Sequence, residues 1–130
     1  MQVTITQSPL QIYHEHLRRG ELAYQFSPEA QKAVFFPRVA CPFTGSTRLE
    51  WRVSAGRGRV YATTEVYPRS GDPYNVTLVD LDEGFRMMSR VEGVAADQVA
   101  IGAPVCARIV PGAGDEAPLV VFDLVVAGAV

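Results

Sequence analysis

The sequence predicts a mainly β protein: a small five-stranded barrel of the OB type, preceded by one helix and an irregular module. Three observations carry this reading. From Leu49 onward the chain is a series of short runs rich in β-branched and aromatic residues. Gly and Pro punctuate those runs at close intervals, for example at Gly56/Gly58, Pro68 to Pro73 and Pro111 to Pro118. A single apolar stripe at helical spacing stands near the start, ahead of all of them. A two-sheet sandwich built from the same runs is the alternative architecture. With 130 residues, 48% of them hydrophobic, the chain can bury one core.

The helix is predicted over Pro9 to Arg19. Ser8 is a good N-cap, and Pro9 fits the first turn, whose amides need no helical partner. Leu10, Tyr13 and Leu17 form its stripe, Glu15 precedes Arg19 by four, and Gly20 can adopt the left-handed conformation that ends a helix. Tyr24 to Ser46 then contains three prolines and the adjacent pair Phe35 and Phe36, with no sustained period.

The β runs follow as "LEWRVS", "GRVYATTEVY", "YNVTLVDL", "FRMMSRV", "APVCARIV" and "PLVVFDLVV". In the second, alternation puts Val60, Ala62, Thr64 and Val66 on one face and Tyr61, Thr63, Glu65 and Tyr67 on the other. Asp82-Glu83-Gly84 is a tight-turn candidate, and Ala95 to Gln98 a short helical turn. Such a count of strands with one short helical turn fits an OB barrel.

Bulk properties narrow the function classes. The formal charge is −2. A nucleic-acid binder draws its affinity from neutralising phosphates and shows a basic excess, which is missing here. No apolar run is long enough to span a bilayer, and Met1 to Pro9 lacks the pattern of a signal peptide. The two cysteines, Cys41 and Cys106, do not make a disulfide framework, so a reduced cytoplasmic setting is expected.

Several segments in this order carry a resemblance: "FFPR" followed by "CPFTGS", "LEW" leading to "GRGRVY", "VTLVDLDEGFRMM", and "IGAPV". Across nearly its whole length the chain resembles the domain of unknown function thirty-five family (DUF35). Members of that family join an N-terminal helix and a rubredoxin-like zinc ribbon to a C-terminal OB-fold. The resemblance implies three parts: an N-terminal helix over 1–22, a ribbon segment over 23–48 and the barrel over 49–130. It also implies two C-x-x-C knuckles in the ribbon. In this chain Ser27 and Ala30 occupy the first pair of positions, and Cys41 and Thr44 the second. Structural zinc takes four thiolate or imidazole ligands, and one remaining thiolate cannot hold it. His14 and His16 are two apart on the helix, point in well-separated directions and precede the knuckles. The expectation is therefore a zinc-free, degenerate ribbon held by packing, with no cofactor and with a short helical turn capped by Ser27 in place of the first knuckle.

The residues offer little catalytic chemistry. A nucleophile needs a base within reach, and both histidines lie on the first helix. Cys106, in "APVCARIV", reads as a small core residue, and Cys41 as a loop thiol with no basic cluster to activate it. Asp80, Asp82 and Glu83 read as an acidic turn before they read as paired acid and base. Arg57 and Arg59, set between glycines, are the candidates for gripping phosphate.

The resemblance implies an accessory subunit that binds an acyl-CoA-processing enzyme, thiolase-like or hydratase, and shares in binding acyl-CoA through Arg57 and Arg59. An acidic domain with a docking helix suits a protein partner. A homo-oligomer through Phe35, Phe36 and Phe43 is a further expectation. The competing readings are a nucleic-acid-binding OB module that stacks bases on Tyr61, Tyr67, Tyr74 and Phe85, and an independent enzyme using Asp80 or Asp82.

Overall fold

The computed structural model describes residues 8–125. The first element, α1, spans Pro9–Arg18 and is closed at both ends by its own sequence. Ser8 and Gln11 form a reciprocal capping box: the Gln11 amide donates to Ser8 Oγ and the Ser8 amide to Gln11 Oε1. At the other end Gly20, with φ +83°, turns the chain. The Gly20 and Glu21 amides then donate to the Leu17 and His16 carbonyls, satisfying groups that the helix end would leave bare. Tyr13 and Leu17 are buried as the stripe predicts, whereas Leu10 is 40% exposed.

Three short strands follow as one antiparallel sheet: β1 (Ala23–Ser27) in the centre, β2 (Lys32–Val34) and β3 (Glu50–Val53) at its edges. Two expectations are corrected here. The β1–β2 connection is a hairpin turn, with Gln31 at φ +55°, and not a helical turn. Ser27 does cap it, accepting from the Ala30 amide at 3.2 Å, but no apolar stripe follows that would carry a helix further. The run "LEWRV", read from its β-branched and aromatic residues as the first part of the barrel, pairs with β1 from Ala23↔Val53 to Phe26↔Glu50. Alternation shows that a strand has two unlike faces; it does not say which sheet the strand joins. The break between module and barrel lies at Ser54 to Gly56, where Gly56 takes φ +78°.

The barrel strands are β4 (Arg57–Val66), β5 (Tyr74–Leu81), β6 (Arg86–Ser89), β7 (Val91–Glu92), β8 (Pro104–Val110) and β9 (Leu119–Leu124). Their order is β6-β5-β4-β8-β9-β7, antiparallel except for β7 on β9. β6 and β7 are separated only by Arg90, so both ends of the order belong to one bent strand and the sheet wraps round on itself. Ser89 Oγ donates to the Val120 carbonyl at 2.6 Å and the Phe122 amide to the Arg90 carbonyl at 3.0 Å, which ties the bend to β9. A 3₁₀ turn at Ala96–Gln98 separates the third and fourth barrel strands. This is the OB arrangement, and the sandwich is ruled out by the wrap.

Inside the barrel two features depart from simple alternation. The β4–β5 register shifts between Val60 and Ala62. Beyond that bulge Thr63 points inward and meets the fully buried Thr77 at 2.9 Å, while Thr64 is exposed, so the predicted face of Val60, Ala62, Thr64 and Val66 is not continuous. At the β6–β7 bend, the buried Asn75 side chain stands in for the missing ladder. It accepts from the Val91 amide and donates to the Val91 carbonyl, at 2.9 and 2.8 Å.

The helix, the small sheet and the barrel share one apolar core. Its centre is Phe85, stacked on Tyr24 at 4.8 Å and on Phe35 at 5.0 Å, with Tyr13 edge-on to Phe35 at 5.7 Å. Phe85→Ala should therefore lower the unfolding free energy by about 3–5 kcal/mol. Ile101→Ala, on the surface, should change it by no more than about 0.5 kcal/mol; urea denaturation of both compares them. A Cβ on Gly58 would press against the Asp80 carbonyl oxygen and lie 3.0 Å from Val79 Cγ1. Gly58→Ala is thus expected to destabilise by about 1–3 kcal/mol through overpacking of the β4–β5 pair, read in the same titration.

Candidate functional site

Ser27, Cys41 and Thr44 come together, with Ala30 on the adjoining turn. Cys41 is buried. Its amide donates to the Ser46 carbonyl and its carbonyl accepts from the Gly45 amide, both at 2.8 Å, so the loop curls round the sulfur. The Phe43 amide points at Cys41 Sγ from 3.4 Å, and the Ser27 and Thr44 hydroxyls also donate to it. Burial pushes the thiol up, but these donors outweigh burial and bring its pKa down to about 7. Among the described residues no group of three or more His, Cys, Asp or Glu is placed to hold a metal ion. His16 sits elsewhere, with Nδ1 2.8 Å from Glu21 Oε1 and its ring stacked on Trp51 at 5.7 Å. That hydrogen bond from His16 is the main reason the Glu21 carboxyl is held below its usual value.

The barrel carries a cleft of about 550 Å³ along the β4–β8 seam, lined by Arg57, Arg59, Pro104, Cys106, Asp82 and Val125. Outward positions of β4 alternate with the buried Gly58 and Val60, so both guanidinium groups stand on one exposed face. Arg59 Nη1 donates to the Gly102 carbonyl at 3.1 Å, and Arg57 lies opposite Cys106 in register. Cys106 is exposed, which corrects its reading as a core residue. The parity was there to be read: Arg108, two residues on, shares the outer face with Cys106 and is ion-paired at the surface, while Val105 points inside.

The acidic turn is structural. Asp80 holds Arg86 through two bonds, Nε to Oδ1 at 2.6 Å and Nη2 to Oδ2 at 3.3 Å. The Glu83 carboxylate accepts from Ser54 Oγ at 2.6 Å and from the Ala55 amide at 2.8 Å, pinning the linker to the β5–β6 turn. Of the aromatics considered for base stacking, Phe85 is buried and Tyr61 lies under the Arg86 guanidinium at 3.4 Å; Tyr67 and Tyr74 remain exposed.

A second hollow, of about 490 Å³, lies where α1, the small sheet and the barrel meet. Its floor is Tyr13, Leu17 and Met87, and its rim Phe36, Met88 and Leu119. Burial drives the Tyr13 phenol up to about 12, so it stays protonated. Sequence reading missed this groove, because its residues come from four distant segments and only the docking of α1 assembles them. The one signal was the stripe of Tyr13 and Leu17, which had to face something.

Residues 51–110 match the family model described as ChsH2, C-terminal OB-fold domain. A probable enoyl-CoA hydratase alpha subunit of Thermomonospora curvata is 38% identical over 73 residues, 53% of this chain and 23% of that protein. The 3-oxo-4,17-pregnadiene-20-carboxyl-CoA hydratase alpha subunit of Mycobacterium tuberculosis is 35% identical over 69 residues, 50% of this chain and 22% of that protein. The chain thus spans under a quarter of the length of these curated relatives. A chain of a solved Ltp2-ChsH2(DUF35) aldolase superposes with a TM-score of 0.76 at 28% identity, covering 95% of this chain and 98% of that one. A DUF35 protein of unknown function from Sulfolobus solfataricus shares the fold, with a TM-score of 0.63 at 13% identity over 88% and 83% of the two chains.

The low pKa of Cys41 has a consequence for stability. The thiolate is favoured by the fold, so its contribution is complete above the unfolded value of 9.0 and is lost as pH falls through about 7. The stability gap between the wild-type protein and Cys41→Ala should accordingly widen from pH 7 to pH 9, as measured by urea midpoints; a gap flat across that range would contradict the charge-stabilised sulfur.

Proposed function

We propose that this chain, whose residues 51–110 match the ChsH2 C-terminal OB-fold model, is a DUF35-type protein and a non-catalytic accessory subunit of an acyl-CoA-processing enzyme. The partner is of the hydratase or thiolase-like type, and the complex works in the cytoplasm. The observation that carries this is the near end-to-end match to a chain of the Ltp2-ChsH2(DUF35) aldolase, joined to the similarity to two CoA-ester hydratase alpha subunits. Among the described residues, no helix is long and apolar enough to cross a membrane.

Within that reading Arg57 and Arg59 hold phosphates of acyl-CoA. Two guanidinium groups on one exposed face, over a cleft of about 550 Å³, can meet a polyanion through charge-assisted bonds. The knuckle positions Ser27, Ala30, Cys41 and Thr44 bind no zinc in the working protein. The hydroxyl and amide donors on Cys41 and the aromatic stack on Phe85 hold the segment instead.

Affinity capture from native extract, with mass spectrometry, should recover a hydratase or thiolase-like enzyme; its absence from repeated captures would sink the accessory role. In calorimetry, Arg57→Glu with Arg59→Glu should weaken CoA binding by about tenfold or more, since each charge-assisted bond contributes roughly 1.5–3 kcal/mol. Metal analysis of the same preparation should find zinc far below one per chain, and a stoichiometric value would reverse the zinc-free reading.

A further inference from the structure

The groove between helix, small sheet and barrel has no part in the reading above. Its rim is unusual: Phe36, Met88 and Leu119 are 52%, 69% and 61% exposed, and they come from three separate segments of the chain. Its floor, Tyr13, Leu17 and Met87, is buried, so the apolar surface runs unbroken from the rim into the core. Folding does not require three large apolar side chains to converge on one opening in water. At about 490 Å³ the hollow falls in the size range of small-molecule sites, roughly 300–1,000 Å³.

The polar groups are few and one of them is fixed. Arg86 is one of the lining residues, and its guanidinium is held at the groove's edge by two bonds to Asp80 and a stack on Tyr61, so it has little freedom. Those two bonds leave further N–H groups to donate to a carbonyl oxygen. An apolar trough with one positioned donor suits a ligand with a long hydrocarbon part and a carbonyl at one end.

We propose that this groove binds the hydrocarbon chain of an acyl thioester, with Arg86 donating to the thioester carbonyl. The choice of ligand class rests on the accessory-subunit reading; the groove itself does not depend on Arg57 or Arg59.

Two probes separate the claims. Hexanoyl and decanoyl thioesters of N-acetylcysteamine carry no phosphate and report on the groove, whereas unacylated CoA reports on the arginine cleft. Calorimetry on the full chain should give saturable binding of the decanoyl probe, with affinity rising about two- to fourfold per added methylene, up to the ratio for full burial. Met88→Glu with Leu119→Glu, both at exposed positions, should weaken that binding by about tenfold or more with the circular dichroism spectrum unchanged. Arg86→Gln should weaken both probes by a similar factor and leave the chain-length dependence intact. The proposal is overturned by absent saturable binding, by affinity independent of chain length, or by full affinity in the double variant. It is also overturned if the double variant loses capture of a partner enzyme while the thioester never binds, which would make the groove a protein interface. If thioesters bind and CoA does not, the groove stands and the phosphate role of Arg57 and Arg59 falls.

Discussion

The structure depends on one aromatic insertion. Phe85 leaves the β5–β6 turn of the barrel and lies between Tyr24 of β1 and Phe35 of the loop after β2, at 4.8 and 5.0 Å. Offset stacks of this kind add about 0.5–1.5 kcal/mol each beyond the apolar area they bury. Tyr13 extends the cluster edge-on from α1, so helix, small sheet and barrel are registered on the same rings. Withdraw the Phe85 ring and three modules lose their common contact.

That arrangement explains how a knuckled segment can keep its shape without a cation, as proposed here. In small zinc-dependent peptides the metal supplies on the order of 10 kcal/mol of folding free energy. The segment from Ala23 to Val53 has several weaker ties of its own. Its strands pair on both sides of β1, Gln25 bonds both the carbonyl and the amide of Arg38 at 2.8 and 2.7 Å, and Arg52 covers Phe26 at 3.7 Å. The positions where the resemblance implies knuckle ligands carry hydrogen bonds, with Ser27 and Thr44 donating to the Cys41 sulfur. Distributed ties of this sort fail piecemeal, whereas a metal site fails all at once.

What the sequence disclosed, and what it hid, follows from the range of each interaction. Local chemistry was legible: Ser8 and Gly20 bound the helix, Gly84 at φ +97° makes the tight turn, and Ala96–Gln98 forms the short helical turn where composition put it. Sheet membership was not, because Glu50–Val53 alternates equally well on either sheet, and only long-range pairing with β1 decides. The bulge at Tyr61 left no mark either, since Thr63 and Thr64 are the same residue on opposite faces. For the candidate site, Arg57 and Arg59 were visible as an isolated basic pair among glycines. Their neighbour Cys106 was misread from the apolar residues around it, although Arg108 two residues on marks that face of β8 as the wet one. The groove is the extreme case, since its lining comes from four segments that lie far apart in the chain.

The two hollows are linked by a single turn. Asp82 lines the arginine cleft, Glu83 clamps the Ser54–Ala55 linker, Phe85 enters the aromatic stack, and Arg86 lines the edge of the groove. Gly84, with φ +97°, lets the chain reverse tightly enough for neighbouring residues to point in these different directions. The Asp82 amide donates to the Arg57 carbonyl at 2.9 Å, which ties the turn to β4, and the Leu81 amide to the Phe85 carbonyl at 2.8 Å, which closes the turn on itself. A ligand seated against Arg86 and a polyanion seated against Arg57 would therefore bear on the same rigid hairpin, with the Phe85 stack as its fulcrum.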